Sequence, residues 1–228
     1  MFSGNSAGGV FLYKNCGEYP DRDRYFERRD PAADNLIEQN VFMGGRNGVW
    51  VGSRMGENTL PMECTDPAYV EASGIRVVLD RAPDNTVRDN EFRDVTYGVR
   101  VEDDGTTVEG NTFSGASPDR HAVIVGTPYR TEVLDQPVSG TVLRDNSSTI
   151  AGNTSPYRWV HGEVDTTYEG NTALGQPVGW CEGQPPPRQI FVMTITFALA
   201  NPDGSMPAVP DLTVPTVPAL PPCPSAGG

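Results

Sequence analysis

One short pattern recurs along this 228-residue chain: an apolar residue, two residues, an Asn, one residue, and usually a Phe. It reads Ile37-Glu38-Gln39-Asn40-Val41-Phe42, Val87-Arg88-Asp89-Asn90-Glu91-Phe92 and Val108-Glu109-Gly110-Asn111-Thr112-Phe113. Weaker copies run Leu143 to Ser148, Ile150 to Ser155 and Tyr168 to Ala173. Self-similarity of this kind predicts a solenoid rather than a conventional globular core. Function is then restricted to a long strand face and the loops beside it.

A second family interleaves with the first: Gly9-Val10-Phe11-Leu12-Tyr13, Gly48-Val49-Trp50-Val51, Gly98-Val99-Arg100-Val101 and His121-Ala122-Val123-Ile124-Val125. Short apolar runs with alternation read as strands. The cleanest coil sets the period, with Asn90 and Asn111 21 residues apart. The 50 residues from Asn40 to Asn90 read as one coil plus an excursion from about Arg54 to Ser73. The charged run Glu18 to Asp34 reads as a loop between Asn5 and Asn40. Such a period fits three short parallel strands per coil, each coil stacked about 4.8 Å above the last. Ile37, Val87 and Val108 then form an aliphatic column, and Phe42, Phe92 and Phe113 an aromatic one. The Asn sits at a bend, where its amide serves turn backbone groups. Met1 to Asn5 lacks the basic and apolar regions of a signal peptide. It resembles the repeat around Asn111 to Gly115, as if the chain began within a coil, with further N-terminal coils or a capping partner expected before it.

The coil length and the runs Asn85 to Phe92 and Thr106 to Phe113 resemble the right-handed parallel β-helix, or pectin-lyase-like, superfamily. The resemblance covers about residues 1 to 175 and implies an all-β, right-handed parallel β-helix solenoid. Residues 1–181 are expected to form it. Residues 182–228, with 11 prolines, are expected to form a capping strand (Gln189 to Ala200) and a Pro-rich tail. The superfamily includes polysaccharide lyases, glycoside hydrolases, uronan C5-epimerases, esterases and phage tailspikes, among which fold analogy does not choose.

The formal charge of −13 and pI near 4.5 argue against nonspecific nucleic-acid binding or an anionic membrane surface. They leave room for an anionic glycan on a local basic patch. No run of 18 apolar residues offers a membrane span. Cys16, Cys64, Cys181 and Cys223 lack zinc-ligand spacing. They are read as two disulfides, Cys16–Cys64 and Cys181–Cys223, which implies an extracellular or cell-surface location.

Stacking makes corresponding positions neighbours. Lys14 and Arg54 follow equivalent strands and are expected on one face beside Tyr13 and Glu18. Two cations and a phenol suit a sugar carboxylate: a cation neutralises the acid, and Lys or Tyr removes the C5 proton. Uronate lyases of the resembled superfamily work in this outline, some with calcium. Catalytic roles are therefore expected for Lys14, Arg54 and Tyr13. Substrate contacts are expected from Glu18, from Arg130, and from Trp50, whose strand parity points it outward. No complete family motif is present. Glu102-Asp103-Asp104 offers carboxylates for hydrolysis or for a Ca2+ site, although Asp103-Asp104-Gly105 also reads as a plain turn. The expected function is that of a carbohydrate-active protein on an acidic polysaccharide, lyase or C5-epimerase in kind. The alternative is a noncatalytic glycan-binding or adhesion module.

Overall fold

The computed structural model of the chain describes residues 1–13, 30–57, 69–72, 75–78 and 81–183. The Asn motif organises the fold locally. In each copy a three-residue strand ends at a residue with positive φ, immediately before the Asn: Gln39 (53°), Asp89 (53°), Gly110 (63°), Asp145 (55°) and Gly170 (65°). That conformation strains β-branched side chains and suits Gly, Asp or Asn. It turns the chain sharply, so a new strand starts one residue past the Asn.

Repetition of this bend builds a right-handed parallel β-helix. The first sheet stacks Leu36–Glu38, Thr86–Arg88, Thr107–Glu109, Val142–Arg144 and Thr167–Glu169. The second stacks Phe2–Ser3, Val41–Met43, Glu91–Arg93, Thr112–Gly115, Ser147–Ile150 and Thr172–Ala173, closed by the antiparallel Gln176–Pro177. The third stacks Gly8–Leu12, Asn47–Val51, Tyr97–Val101, His121–Val125, Tyr157–Trp159 and Cys181–Glu182.

Inward columns fill the space between the sheets. Phe2, Phe42, Phe92 and Phe113 stack with centroids 4.8 Å apart. At the next coil Ser148 takes the Phe register, and Tyr157 meets Phe113 edge-on at 6.3 Å. Gly48 and Gly98 leave room for this column, since a Cβ on either would collide with the Phe92 or Phe113 ring. Ile37, Val87, Val108 and Leu143 form the expected aliphatic column.

Asn40, Asn90, Asn111, Asn146 and Asn171 form a continuous amide ladder. The backbone N–H of each donates to Oδ1 of the next at 2.9–3.1 Å. From Asn90 onward, Nδ2 also reaches back to a carbonyl of the preceding coil. A shorter ladder joins Asn35 to Asn85. Asn153, in the weak copy from Ile150, is not part of either. Its Oδ1 accepts from Ser155 N and its Nδ2 donates to Arg120 O, closing a local turn.

Asn40 and Asn90 occupy consecutive coils, so the 50-residue interval is one coil with an excursion. The excursion contains three short antiparallel strands, Gly56–Glu57, Tyr69–Ala72 and Ile75–Val78. The charged loop from Glu18 falls mostly outside the described residues, as do the capping strand and Pro-rich tail. The disulfide expectation is corrected. No disulfide joins two described residues, because Cys16, Cys64 and Cys223 lie outside them. Cys181 is not a free thiol, but the two named pairs have no structural support. Among the described residues no helix is long and apolar enough to cross a membrane.

Candidate functional site on the outer face of the third sheet

The third sheet alternates in its use of side chains. Val49, Val51, Val99, Val101, Val123 and Val125 enter the core. The row between them, Phe11, Trp50, Arg100, Ile124 and Arg158, is in register across five coils. It lies on the other face, where Tyr97, Ile124 and Val160 form a separate apolar cluster.

Arginines and rings alternate on this face. The Arg100 guanidinium carbon lies 3.7 Å from the Trp50 ring centroid and 5.6 Å from that of Tyr97. Arg46 approaches Tyr97 at 6.0 Å, and Arg54 lies 5.1 Å from the Tyr13 ring. Phe11 tilts against Trp50 at 6.0 Å, and Tyr97 stacks on His121 at 5.8 Å. A cation over an aromatic face contributes about 0.5–2 kcal/mol, more as water is excluded. The Tyr13–Arg54 pair depends on the coil edge, where the N–H groups of Gly52 and Ser53 both donate to Leu12 O.

Glu102 completes the centre of the patch. Its Oε1 accepts from Arg100 Nη2 at 2.6 Å. Burial pushes its carboxyl up, while Arg100 and the Trp50 indole pull it down. Burial, and then Arg158, lower the His121 imidazole to about 4 against a weaker pull from Asp119, so the ring is neutral near pH 7.

Asp103 and Asp104 belong to a different structure one turn on. Asp103 is fully buried and accepts from Arg81 Nε (3.0 Å), Ala82 N (2.6 Å) and Arg130 Nη1 (2.9 Å). Asp104 accepts from Arg130 Nη2 at 2.9 Å, Arg81 Nη2 at 2.9 Å and Ser139 N at 3.0 Å. Burial raises the Asp104 carboxyl, yet Arg130, Ser139 and Arg81 together outweigh it and hold the carboxyl below its usual range. Two arginines thus clamp two carboxylates and fix the turn between the third and first sheets. Among the described residues no group of three or more His, Cys, Asp or Glu is arranged to hold a metal ion.

The sequence-derived residues therefore separate. Tyr13 and Arg54 meet on adjacent coils, and Trp50 lies on the outer row its parity indicated. Lys14 and Glu18 lie outside the described residues. Arg130, expected at substrate, is 3% exposed and engaged with Asp103 and Asp104. Sequence reasoning did not select Arg46, Tyr97 or Arg100. Alignment of the Gly-Val-x-Val strands carries the signal for Arg100, since it places Arg100 opposite Trp50. Nothing local marks Arg81. No protein-family model, curated protein or solved structure matches the chain.

Proposed function

We propose that this β-helix binds an acidic polysaccharide along the outer face of its third sheet, and holds it without cleaving it. The carrying observation is the run Tyr13–Arg54, Trp50–Arg100 and Arg46–Tyr97, three cations on three rings in a chain of net charge −13. The half-buried Tyr13 and Trp50 rings, held rigidly by guanidinium groups, offer stacking surface to sugar planes, while Tyr97 is buried behind them in the patch. Arginine matches a planar carboxylate or a sulfate in bidentate fashion. Successive coils repeat at about 4.8 Å, close to the length of a sugar ring, so one chain can meet several coils. The resemblance to the pectin-lyase-like superfamily supports a glycan ligand, and such a ligand places the protein outside the cell or on its surface.

Affinity electrophoresis through pectate, alginate and glycosaminoglycan gels tests the reading. Wild-type protein is expected to be retarded by at least one of them, less so at high salt. Trp50→Ala and Arg100→Gln are expected to weaken retardation about tenfold while circular dichroism is unchanged. No retardation of wild type in any gel overturns it. The contact between Tyr13 and Arg54 favours a second reading, elimination at a uronate with Tyr13 as base and Arg54 on the carboxylate. Growth of unsaturated-uronate absorbance, lost in Tyr13→Phe, supports that reading over binding alone.

A further inference from the structure

We propose that Glu102 competes from within the protein for Arg100, so that the outer face of the third sheet holds the oxyanions of a glycan weakly while Glu102 is ionised and more tightly once it takes up a proton. This regulation rests on the glycan reading above. Arg100 is the centre of the face, with its guanidinium carbon 3.7 Å from the Trp50 ring centroid. Its Nη2 donates to Glu102 Oε1 at 2.6 Å. Among the described residues no second carboxylate pairs with Arg100. An arginine closed on a carboxylate offers a further oxyanion little net attraction, because the pair as a whole is neutral. A proton on Glu102 leaves the charge of Arg100 unopposed.

The fold builds the competitor into the face. Glu102 follows Val101, whose partners on the neighbouring coils are Val51 and Val125. The next residues on those coils are Gly52 and Gly126, so the Glu102 position is flanked by two residues without side chains. A Cβ on Gly52 would come within 3.3 Å of the Glu102 Cβ, and a larger group there would crowd it. Access differs between the partners: the Arg100 side chain is 13% exposed and that of Glu102 6%. A glycan oxyanion meets the rim of the guanidinium, whereas Glu102 acts through its charge and its hold on Nη2.

The other charges around the pair are engaged elsewhere. On the coil before, Trp50 and buried Met55 carry none, and Arg54 faces Tyr13. On the coil after, Ile124 and Gly126 carry none. Asp103 and Asp104, next along the chain, are held by Arg81 and Arg130. Arg46 faces the Tyr97 ring, and Arg158 donates to the carbonyls of Ser155 and Glu182. His121, stacked on Tyr97, has its imidazole lowered to about 4. Burial raises the Glu102 carboxyl against the pull of Arg100. Its proton is taken up above the usual carboxylate range, where the uronates and sulfates of a glycan are still ionised.

Fluorescence anisotropy of labelled alginate and dextran sulfate oligosaccharides, titrated with full-length protein from about pH 8 to about pH 5, tests this. Neither ligand changes its charge in that range. Wild type is expected to bind roughly threefold to tenfold more tightly at the acid end, the effect of removing one negative charge a few ångströms from the bound anion. Glu102→Gln keeps the side chain's shape without its charge, and should bind tightly throughout with the acid gain lost. Contributions from the histidines are common to both proteins and cancel in the comparison. A second measurement needs no variant. Carbon NMR of the Glu102 carboxyl should show its midpoint rising by about 0.5–1 pH unit on saturation with ligand, the logarithm of the same ratio. Binding with the same pH dependence in both proteins, or a Glu102 midpoint that ligand does not move, overturns the regulation alone. Absence of binding at every pH overturns the glycan reading and the regulation with it.

Discussion

Replacing Asn111 with alanine should destabilise the protein far more than the same change at Asn40, although both occupy the same motif position. Asn111 is fully buried. Its Oδ1 accepts from the backbone N–H of Asn90 at 3.0 Å and from Asn90 Nδ2 at 3.1 Å. Its Nδ2 donates to Val87 O at 2.8 Å, Glu109 O at 3.0 Å and Asn146 Oδ1 at 3.1 Å. Alanine removes all five bonds and strands the buried N–H of Asn90. One orphaned donor costs about 1–3 kcal/mol, and the remaining bonds, partly replaceable elsewhere in the network, bring the total to about 3–5 kcal/mol. Asn40 is at the open end of the ladder, and its side chain donates only to Glu38 O at 2.8 Å. Asn40→Ala should therefore cost about 0.5–1.5 kcal/mol.

Urea unfolding followed by tryptophan fluorescence measures the two variants. Solenoids can unfold in pieces, so a single midpoint is insufficient. Amide hydrogen exchange at Asn90 supplies the local readout. Its protection should fall sharply in Asn111→Ala and stay near wild type in Asn40→Ala. Equal destabilisation of the two variants, within about 0.5 kcal/mol, would refute the view that the ladder acts through its buried interior bonds. So would an unchanged Asn90 amide in Asn111→Ala.

Phe92, 1% exposed between Phe42 and Phe113, should cost about 3–5 kcal/mol on truncation to alanine; Phe2→Ala, with one stacked neighbour, should cost less in the same denaturant assay. Arg130→Met leaves buried Asp103 short of a cation and should cost about 3–5 kcal/mol, measured the same way. The His121 ring should stay neutral down to a midpoint near 4 by NMR titration. Its folded value is below the unfolded one, so its contribution is complete above the unfolded pKa and is lost as pH falls from about 6.5; His121→Phe should flatten that loss. Glu102 and Asp104 should act with opposite signs. Asp104, held low, stabilises above its unfolded pKa and loses that contribution on acidification. Glu102, held high, contributes most below its unfolded pKa and loses it as pH rises, so the stability of Glu102→Gln relative to wild type should improve between pH 4 and pH 7.

The inward columns were legible because stacking demands the same chemistry at every level. Ile37, Val87 and Val108 recur as aliphatics, and Phe42, Phe92 and Phe113 as rings. The positive-φ residue before each Asn was equally readable in retrospect, as Asp89, Gly110, Asp145 and Gly170. Asn153 imitated the motif but lacks a strand partner for it, and its spacing from Asn146 leaves no room for a coil. The Arg81–Asp103–Asp104–Arg130 clamp had no local signal. Its members come from three separated segments, and only the fold brings them within 3 Å.

Outer rows obey a looser rule, and their differences carry the functional argument. On the first sheet the row alternates strictly from Glu38 to Glu169, which pairs Arg88 with Glu38 and Arg144 with Glu109 along the stack. A row that regular satisfies itself and leaves little for a ligand. On the third sheet the corresponding row changes character at every coil: Phe11, Trp50, Arg100, Ile124, Arg158. Stacking alone gives no reason for an indole under a guanidinium, or for a buried Glu102 beside it that folding must desolvate. Parity placed Trp50 on this row from sequence, but its pairing with Arg100 required the register between two coils separated by the excursion. A repetitive scaffold is therefore most informative where an outer row stops repeating, and in this chain that row is the one bearing Trp50 and Arg100, with Glu102 buried beside it.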